Sequence, residues 1–106
     1  MARRKPKRLK PLRRPQDIQH ALKLAVRHHG AGRLPQAEAL YQQILQAEPE
    51  NAVALHLLGV IAHMRGDNET AHDLITMALA IDSSYAAAHG NLGQVLQAQG
   101  RLEEAL

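Results

Sequence analysis

The chain has 106 residues, with two tyrosines and no cysteine, phenylalanine or tryptophan. This length holds at most one domain, and a chain without cysteine has neither disulfides nor thiolate metal sites. No apolar run of about 18 residues is present, so no membrane span is predicted, and no apolar stretch follows the basic N-terminus as in a signal peptide. We therefore expect a cytoplasmic protein whose core is built from Leu, Ala, Ile and Val.

The formal net charge of +3 is unevenly distributed along the chain. Residues 1–14 carry eight Lys/Arg and no acid, whereas residues 15–106 carry the other five and all ten Asp/Glu, a net charge of −5. Pro6, Pro11 and Pro15 interrupt the basic segment, and prolines and repelling charges both oppose a helix. We predict a disordered basic tail over residues 1–15 and one domain over residues 16–106.

From about Asp17 onwards, apolar residues recur at steps of three and four, which predicts helices. The first helix carries Ile18, Leu22, Ala25 and Val26, and the second carries Ala37, Leu40, Tyr41, Ile44 and Leu45. We expect the first helix to stop near residues 30–32, and Pro35 suits the first turn of the second because that position needs no N–H. Pro49 is predicted to end the second helix, and Asn51 is a predicted N-cap of the third.

The same pattern then returns. A third helix is predicted to stop at Gly66, and Asp67 is a good N-cap for a fourth, which residues 82–84 interrupt. A fifth helix begins near Ala88 and is predicted to stop at Gly100, leaving the chain barely into its next helix at residue 106.

Small and apolar residues recur at a step of 34 residues. The columns are Gly32, Gly66 and Gly100; Ala37, Ala71 and Ala105; Ala25, Gly59 and Gly93; and Leu24, Leu58 and Leu92. A repeat of this length indicates units that bury their apolar faces by stacking on their neighbours. Gly59 and Ala71 let two helices approach closely, while Gly66 is expected to need a positive φ at a helix end.

These columns resemble the tetratricopeptide repeat (TPR), a helix-turn-helix unit of the same length. The residues that carry the resemblance are Gly32, Ala37, Tyr41, Pro49, Leu58, Gly59, Gly66, Ala71, Ala78, Leu92, Gly93, Gly100 and Ala105. Two positions depart from it, since Ser83 stands where Pro49 stands one unit earlier and Ile75 replaces the aromatic Tyr41. The resemblance implies an all-α array, an α-solenoid of about two and a half repeats, with units over residues 18–51, 52–85 and 86–106, the last incomplete.

TPR arrays bind partners along a concave side lined by the first helix of each unit. In the middle unit His56, Val60 and His63 share one helix face. With their counterparts, the predicted groove consists of Leu22, Val26, His29, His56, Val60, His63, Asn91, Gln94 and Gln97. The resemblance thus implies a protein–protein interaction or scaffold module that binds a peptide or helix, the alternative being an ordinary solvated face.

A narrower resemblance concerns residues 88–93 and 97–106. They are similar to the TPR units that precede the catalytic domain of protein O-GlcNAc transferases and their bacterial relatives; similar repeats also precede bacterial sulfotransferase domains. In the transferases an Asn of the first helix binds the backbone of client peptides, and Asn91 occupies that place, with Leu57 and Lys23 in the other units. The alternative function is therefore the non-catalytic, substrate-recruiting N-terminal segment of a larger enzyme.

Chemistry within the chain itself is not predicted. Serines occur only at positions 83 and 84, no nucleophile–base–acid set or phosphate loop is present, and we expect no enzyme activity from these residues alone. His28 and His29 are adjacent and cannot face one ligand, and His56 and His63 are two turns apart, too far to share an ion. No metal or cofactor is therefore predicted.

The basic segment and the open end of the array suggest further partners. Residues 3–14 could bind nucleic acid or an anionic membrane surface by charge, act as a nuclear localisation signal, or be an incidental arm. The segment has no aromatic residue, so base stacking is not indicated. Because the third unit is incomplete, self-association through the C-terminal end is a further expectation.

Overall fold

The computed structural model describes residues 11–105, and side chains over residues 11–101. The predicted disorder of residues 1–10 lies outside this range. The described residues form five helices and no strand: α1 (Pro15–Gly30), α2 (Leu34–Ala47), α3 (Ala52–Met64), α4 (Asn68–Ile81) and α5 (Ala86–Ala105). The expected all-α architecture is confirmed.

Local signals in the sequence set most helix starts. The Asn51 side chain accepts a hydrogen bond from the Ala54 N–H at 2.9 Å, which satisfies one of the free donors at the start of α3. Asp67 does the same for Thr70 at 3.2 Å before α4. Pro35 lies in the first turn of α2. These predicted start signals are confirmed.

Glycine turns end the first helix of the first two units. Gly32 has φ 79° and Gly66 has φ 81°, a left-handed conformation that side chains with a Cβ rarely adopt. Just beyond them the N–H groups of Arg33 and Asp67 reach back to the carbonyls of His28 and Ala62, each at 2.9 Å. This hydrogen bond, from an N–H to the carbonyl five residues earlier, is that of a Schellman C-cap, and it turns the chain into the next helix. The positive φ predicted for Gly66 is confirmed.

The predicted stop at Gly100 is wrong, because α5 continues through it to Ala105. The residue after the glycine differs between units. Asp67 follows Gly66 and caps a new helix, and Pro35 lies three residues beyond Gly32, whereas Arg101 offers no cap. Residues 101–105 are good helix formers, so the cost of Gly100, about 1 kcal/mol for an interior glycine, does not break the helix. The third unit is one long helix over the described residues, without the start of a second.

The predicted tail boundary at residue 15 also needs correction. Helix α1 begins at Pro15, and Leu12 packs against the core of the first unit. Arg14 and Asp17 form an ion pair at 3.2 Å beside it. Because Leu12 buries part of its side chain against this core, the last residues of the basic segment belong to the repeat body.

Each helix packs against the next along the chain, and α3 also contacts α5 directly. The core has two clusters. The first consists of Ile18, Ala21, Ala25, Ala37, Tyr41, Ile44, Ala54 and Ile61, and the second of Ala71, Ile75, Ala88 and Val95. An ion pair between Arg65 and Glu38 joins the end of α3 to α2. The first helices α1, α3 and α5 therefore occupy equivalent places in an array.

The small residues of the repeat differ in how closely they are approached. A Cβ added at Gly59 would lie 2.8 Å from Cγ1 of Ile75 and 3.3 Å from the carbonyl oxygen of Ala71, so the predicted close approach of α3 and α4 is confirmed there. At the equivalent Gly93 an added Cβ would meet nothing within 4 Å. Over the described part of the chain, no second helix packs on that side of α5.

Candidate partner-binding groove

The residues predicted to line a groove lie on α1, α3 and α5, but they differ in exposure. Val26, Gln94 and Gln97 are exposed; Leu22, His29, Val60, His63 and Asn91 are half-buried; His56 is buried. Only 3% of His56 is exposed, so it forms part of the wall of this face and not of its surface. We refer to the other eight residues as the α1–α3–α5 face.

Two histidines of the array pair with tyrosines. Nδ1 of His29 lies 3.2 Å from the hydroxyl of Tyr41, which is fully buried in α2. Nδ1 of His56 lies 3.0 Å from the hydroxyl of Tyr85, and the two rings meet edge to face at 4.8 Å. Such pairs satisfy the polar ends of buried aromatic groups, and they hold each imidazole in one orientation.

The third histidine of the predicted groove, His63, is fixed in another way. Nδ1 of His63 lies 2.7 Å from Oδ1 of Asn68, the first residue of α4. An amide oxygen only accepts, so His63 carries a proton on Nδ1. All three histidines predicted for the groove thus bind within the chain through Nδ1, which pre-orients their rings.

Asn91 is also engaged inside the chain. Its Nδ2 lies 2.7 Å from Nε2 of His56, on the opposite side of the ring from Tyr85. His56 therefore connects α3 to the start and to the second turn of α5, and the two predicted groove residues His56 and Asn91 bind each other.

Burial controls the ionisation of these groups. It lowers the pKa of both His29 and His56, since a charged imidazole is poorly solvated away from water. Burial, and then the charge of Tyr85, raises the pKa of Tyr41 to about 12. Burial, and then the nearby Asp82 carboxylate, raises the pKa of Tyr85. Near neutral pH the His–Tyr pairs are therefore uncharged.

Tyr85 is the residue of this site that sequence reasoning missed. It precedes α5 at the place where Asn51 precedes α3, one repeat of 34 residues earlier. Asn51 caps its helix with a side-chain amide, and a tyrosine cannot do the same. A bulky aromatic residue at a helix-capping position is the sequence signal that could have indicated a packing or hydrogen-bonding role for Tyr85.

The surface of the α1–α3–α5 face combines an exposed apolar group with amides. Val26 is 48% exposed on α1, and the equivalent position on α5 is the exposed Gln94.

Among residues 11–101 no group of three His, Asp or Glu side chains is arranged to hold a metal ion. None of the helices in the described range is long and apolar enough to cross a membrane. The exposed valine and amides of the α1–α3–α5 face suit contacts with another polypeptide.

Comparisons with known proteins agree with this architecture. A tetratricopeptide repeat family model matches residues 22–86, more than half of the chain, and a second one matches residues 86–106. The chain belongs to the tetratricopeptide repeat family. Human tetratricopeptide repeat protein 7A is 33% identical over 75 residues, covering 71% of this chain and 9% of that protein. The crystal structure of MamA superimposes with a TM-score of 0.72 and 27% identity, over 86% of this chain and 53% of that one.

This TPR chain therefore spans about half of the MamA chain and a small part of the human relative. TPR repeats form scaffolds for protein–protein interaction, and the present chain is such a module. Repeat scaffolds of this kind present an extended surface built by successive units, and each of the three units contributes residues of its first helix to the α1–α3–α5 face.

Proposed function

We propose that the module binds a segment of a partner protein along the α1–α3–α5 face. The observation that supports the proposal is the exposure of the Val26 side chain and of the Gln94 and Gln97 amides, which the repeat register assigns to the α1–α3–α5 face. The imidazoles of His29 and His63 lie along that face and are already held in one orientation. Pre-oriented side chains lose little conformational entropy on binding, which favours recognition.

The chemistry of the face suggests what kind of segment it takes. Its side chains are aliphatic, amide or imidazole, and the strongly basic residues Lys23 and Arg27 beside it on α1 are exposed. A partner segment would place an apolar side chain against Val26 and offer backbone hydrogen bonds to the amides on α5. We expect an extended or helical segment of low charge.

A matched pair of variants tests this proposal. Val26 is 48% exposed and Met77, on α4, is 50% exposed, so both are apolar surface residues on different helices. Peptides are selected from a random displayed library on the wild-type protein, and their Kd values are measured by fluorescence polarisation. We expect Val26→Glu to weaken binding at least about tenfold, or 1.4 kcal/mol, and Met77→Glu to leave it unchanged. Peptides that tolerate Val26→Glu and lose affinity with Met77→Glu would contradict the proposal.

The other functions suggested by the sequence stay as alternatives. The module as the recruiting segment of an O-GlcNAc-transferase-like or sulfotransferase-like enzyme is tested by the coding sequence downstream of residue 106. Binding of nucleic acid or an anionic surface through residues 3–14 predicts loss of binding between 50 and 200 mM salt. Self-association through α5 predicts a mass above that of the monomer in solution. The cytoplasm is the compartment we propose, on the cysteine-free composition.

A further inference from the structure

Both ring nitrogens of the buried His56 are engaged, and by different kinds of group. Nδ1 faces the Tyr85 hydroxyl at 3.0 Å and Nε2 faces the Asn91 amide nitrogen at 2.7 Å. A hydroxyl can donate or accept, whereas an amide NH₂ only donates. The ring has almost no access to water, because 3% of the residue is exposed.

This geometry fixes where the protons lie. Nε2 must accept from Asn91 and so carries no hydrogen, which leaves the imidazole proton on Nδ1, donated to the Tyr85 oxygen. With its nitrogen directed at the ring, the Asn91 amide has its oxygen directed elsewhere. At neutral pH Asn91 therefore has a hydrogen-bond acceptor that His56 does not use.

We propose that protonation of His56 reverses the Asn91 amide and so exchanges an acceptor for donors at this position of the α1–α3–α5 face. A proton on Nε2 would place two donors against each other at hydrogen-bond distance. Rotation of the amide by a half turn removes that conflict, because Oδ1 then accepts from Nε2–H. The NH₂ group is released in the same step, and no bond is broken elsewhere in the cluster.

The groups around the ring allow this change at mildly acidic pH. Tyr85 is the titratable group in contact with His56, and Tyr41 of α2 and Asp82 interact electrostatically with Tyr85. Both tyrosines have a raised pKa and stay neutral throughout. Burial lowers the pKa of His56 from 6.5, so the exchange begins at a lower pH than the protonation of an ordinary exposed histidine.

The consequence for binding rests on the proposed function. A partner segment that donates a backbone N–H to Asn91 would bind at neutral pH and lose that bond in acid. The exchange itself needs no partner, so it is measurable on the free protein. Its failure and the failure of the proposed function are therefore separate results.

Nitrogen-15 NMR of the wild-type protein between pH 8 and 5 tests the proposal. At pH 7.5 we expect the tautomer of His56 with the proton on Nδ1. On acidification its titration midpoint should lie below 6.5, the ordinary value for histidine, because the ring is buried, and the side-chain NH₂ signals of Asn91 should shift with the same midpoint. A proton on Nε2 at pH 7.5, or Asn91 signals that do not follow His56, would overturn the proposal.

A pair of tyrosine variants gives a second test. Tyr85→Phe removes the acceptor of the Nδ1 proton, so we expect the proton to move to Nε2 and the Asn91 signals to shift at pH 7.5 without acid. Tyr41→Phe removes the partner of His29 and is expected to leave Asn91 unchanged. Wild-type Asn91 signals in folded Tyr85→Phe would contradict the proposal, and the wild-type titration decides the question if that variant does not fold.

Discussion

Gly59 and Gly93 occupy the same position in successive repeats, and substituting each by alanine is expected to change stability in opposite directions. Both lie inside helices, α3 and α5. A Cβ at Gly59 would lie 2.8 Å from Ile75 Cγ1 and 3.3 Å from Leu74 Cβ, while a Cβ at Gly93 would meet nothing within 4 Å. The two sites therefore separate intrinsic helix preference from packing.

The magnitudes follow from these two environments. In a helix interior alanine is more favourable than glycine by about 0.8–1 kcal/mol, and Gly93→Ala should gain that amount because nothing opposes it. At Gly59 the same gain competes with overpacking of about 1–3 kcal/mol, since Ile75 is fully buried and the nearby Ala71 oxygen belongs to the backbone. We expect Gly59→Ala to lose up to about 2 kcal/mol, and Gly59→Leu to lose more.

Thermal and urea unfolding followed by circular dichroism at 222 nm measure the difference. In a domain of this size 1 kcal/mol corresponds to a Tm change of roughly 4–8 °C. We expect Tm to rise for Gly93→Ala and to fall for Gly59→Leu. A Gly59→Ala protein stabilised as much as Gly93→Ala would refute the close packing of α3 on α4.

Three further predictions concern the helix caps, the N-terminal contact and the pH dependence of folding. Asn51→Ala should lower the free energy of unfolding by about 1 kcal/mol in urea titrations, since the Ala54 N–H loses its acceptor; an unchanged midpoint would argue against the cap. Removing residues 1–14 should lower Tm relative to removing residues 1–10, because half-buried Leu12 contributes about 1 kcal/mol; equal Tm values for the two truncations would contradict that contact. Burial lowers the pKa values of His29 and His56, so between those values and 6.5 the unfolded chain binds more protons. Stability should therefore fall as pH drops below about 6.5, by at most about 1.4 kcal/mol per pH unit for each histidine. His56→Gln should reduce this slope, because it removes one of the two histidines whose pKa burial lowers.

The parts of the fold that depend on neighbours in sequence were predictable. Asn51, Asp67 and Gly66 act within a few residues of their own positions, so their roles follow from residue type. Gly100 occupies the same repeat position as Gly66 but lies within α5, because the residues that follow it favour a helix. A turn depends on the residues after the glycine as well as on the glycine itself.

The candidate site depended on contacts that sequence spacing does not contain. His56 was expected to face a partner, yet it lies between Tyr85 and Asn91, 29 and 35 residues away. Helical periodicity places side chains on a face, but it does not tell which of them a neighbouring helix covers. Here α5 covers His56 and leaves Val60 half exposed one turn further along α3.

Photo-crosslinking in the host cell tests the central claim most directly. A benzophenone amino acid is placed at Gln94, on the α1–α3–α5 face, or at Met77 on α4, both exposed positions. If partners bind along this face, the probe at Gln94 yields a covalent adduct with a second protein, and the probe at Met77 does not. Adducts from Met77 alone would show that partner binding occurs on another surface of the array.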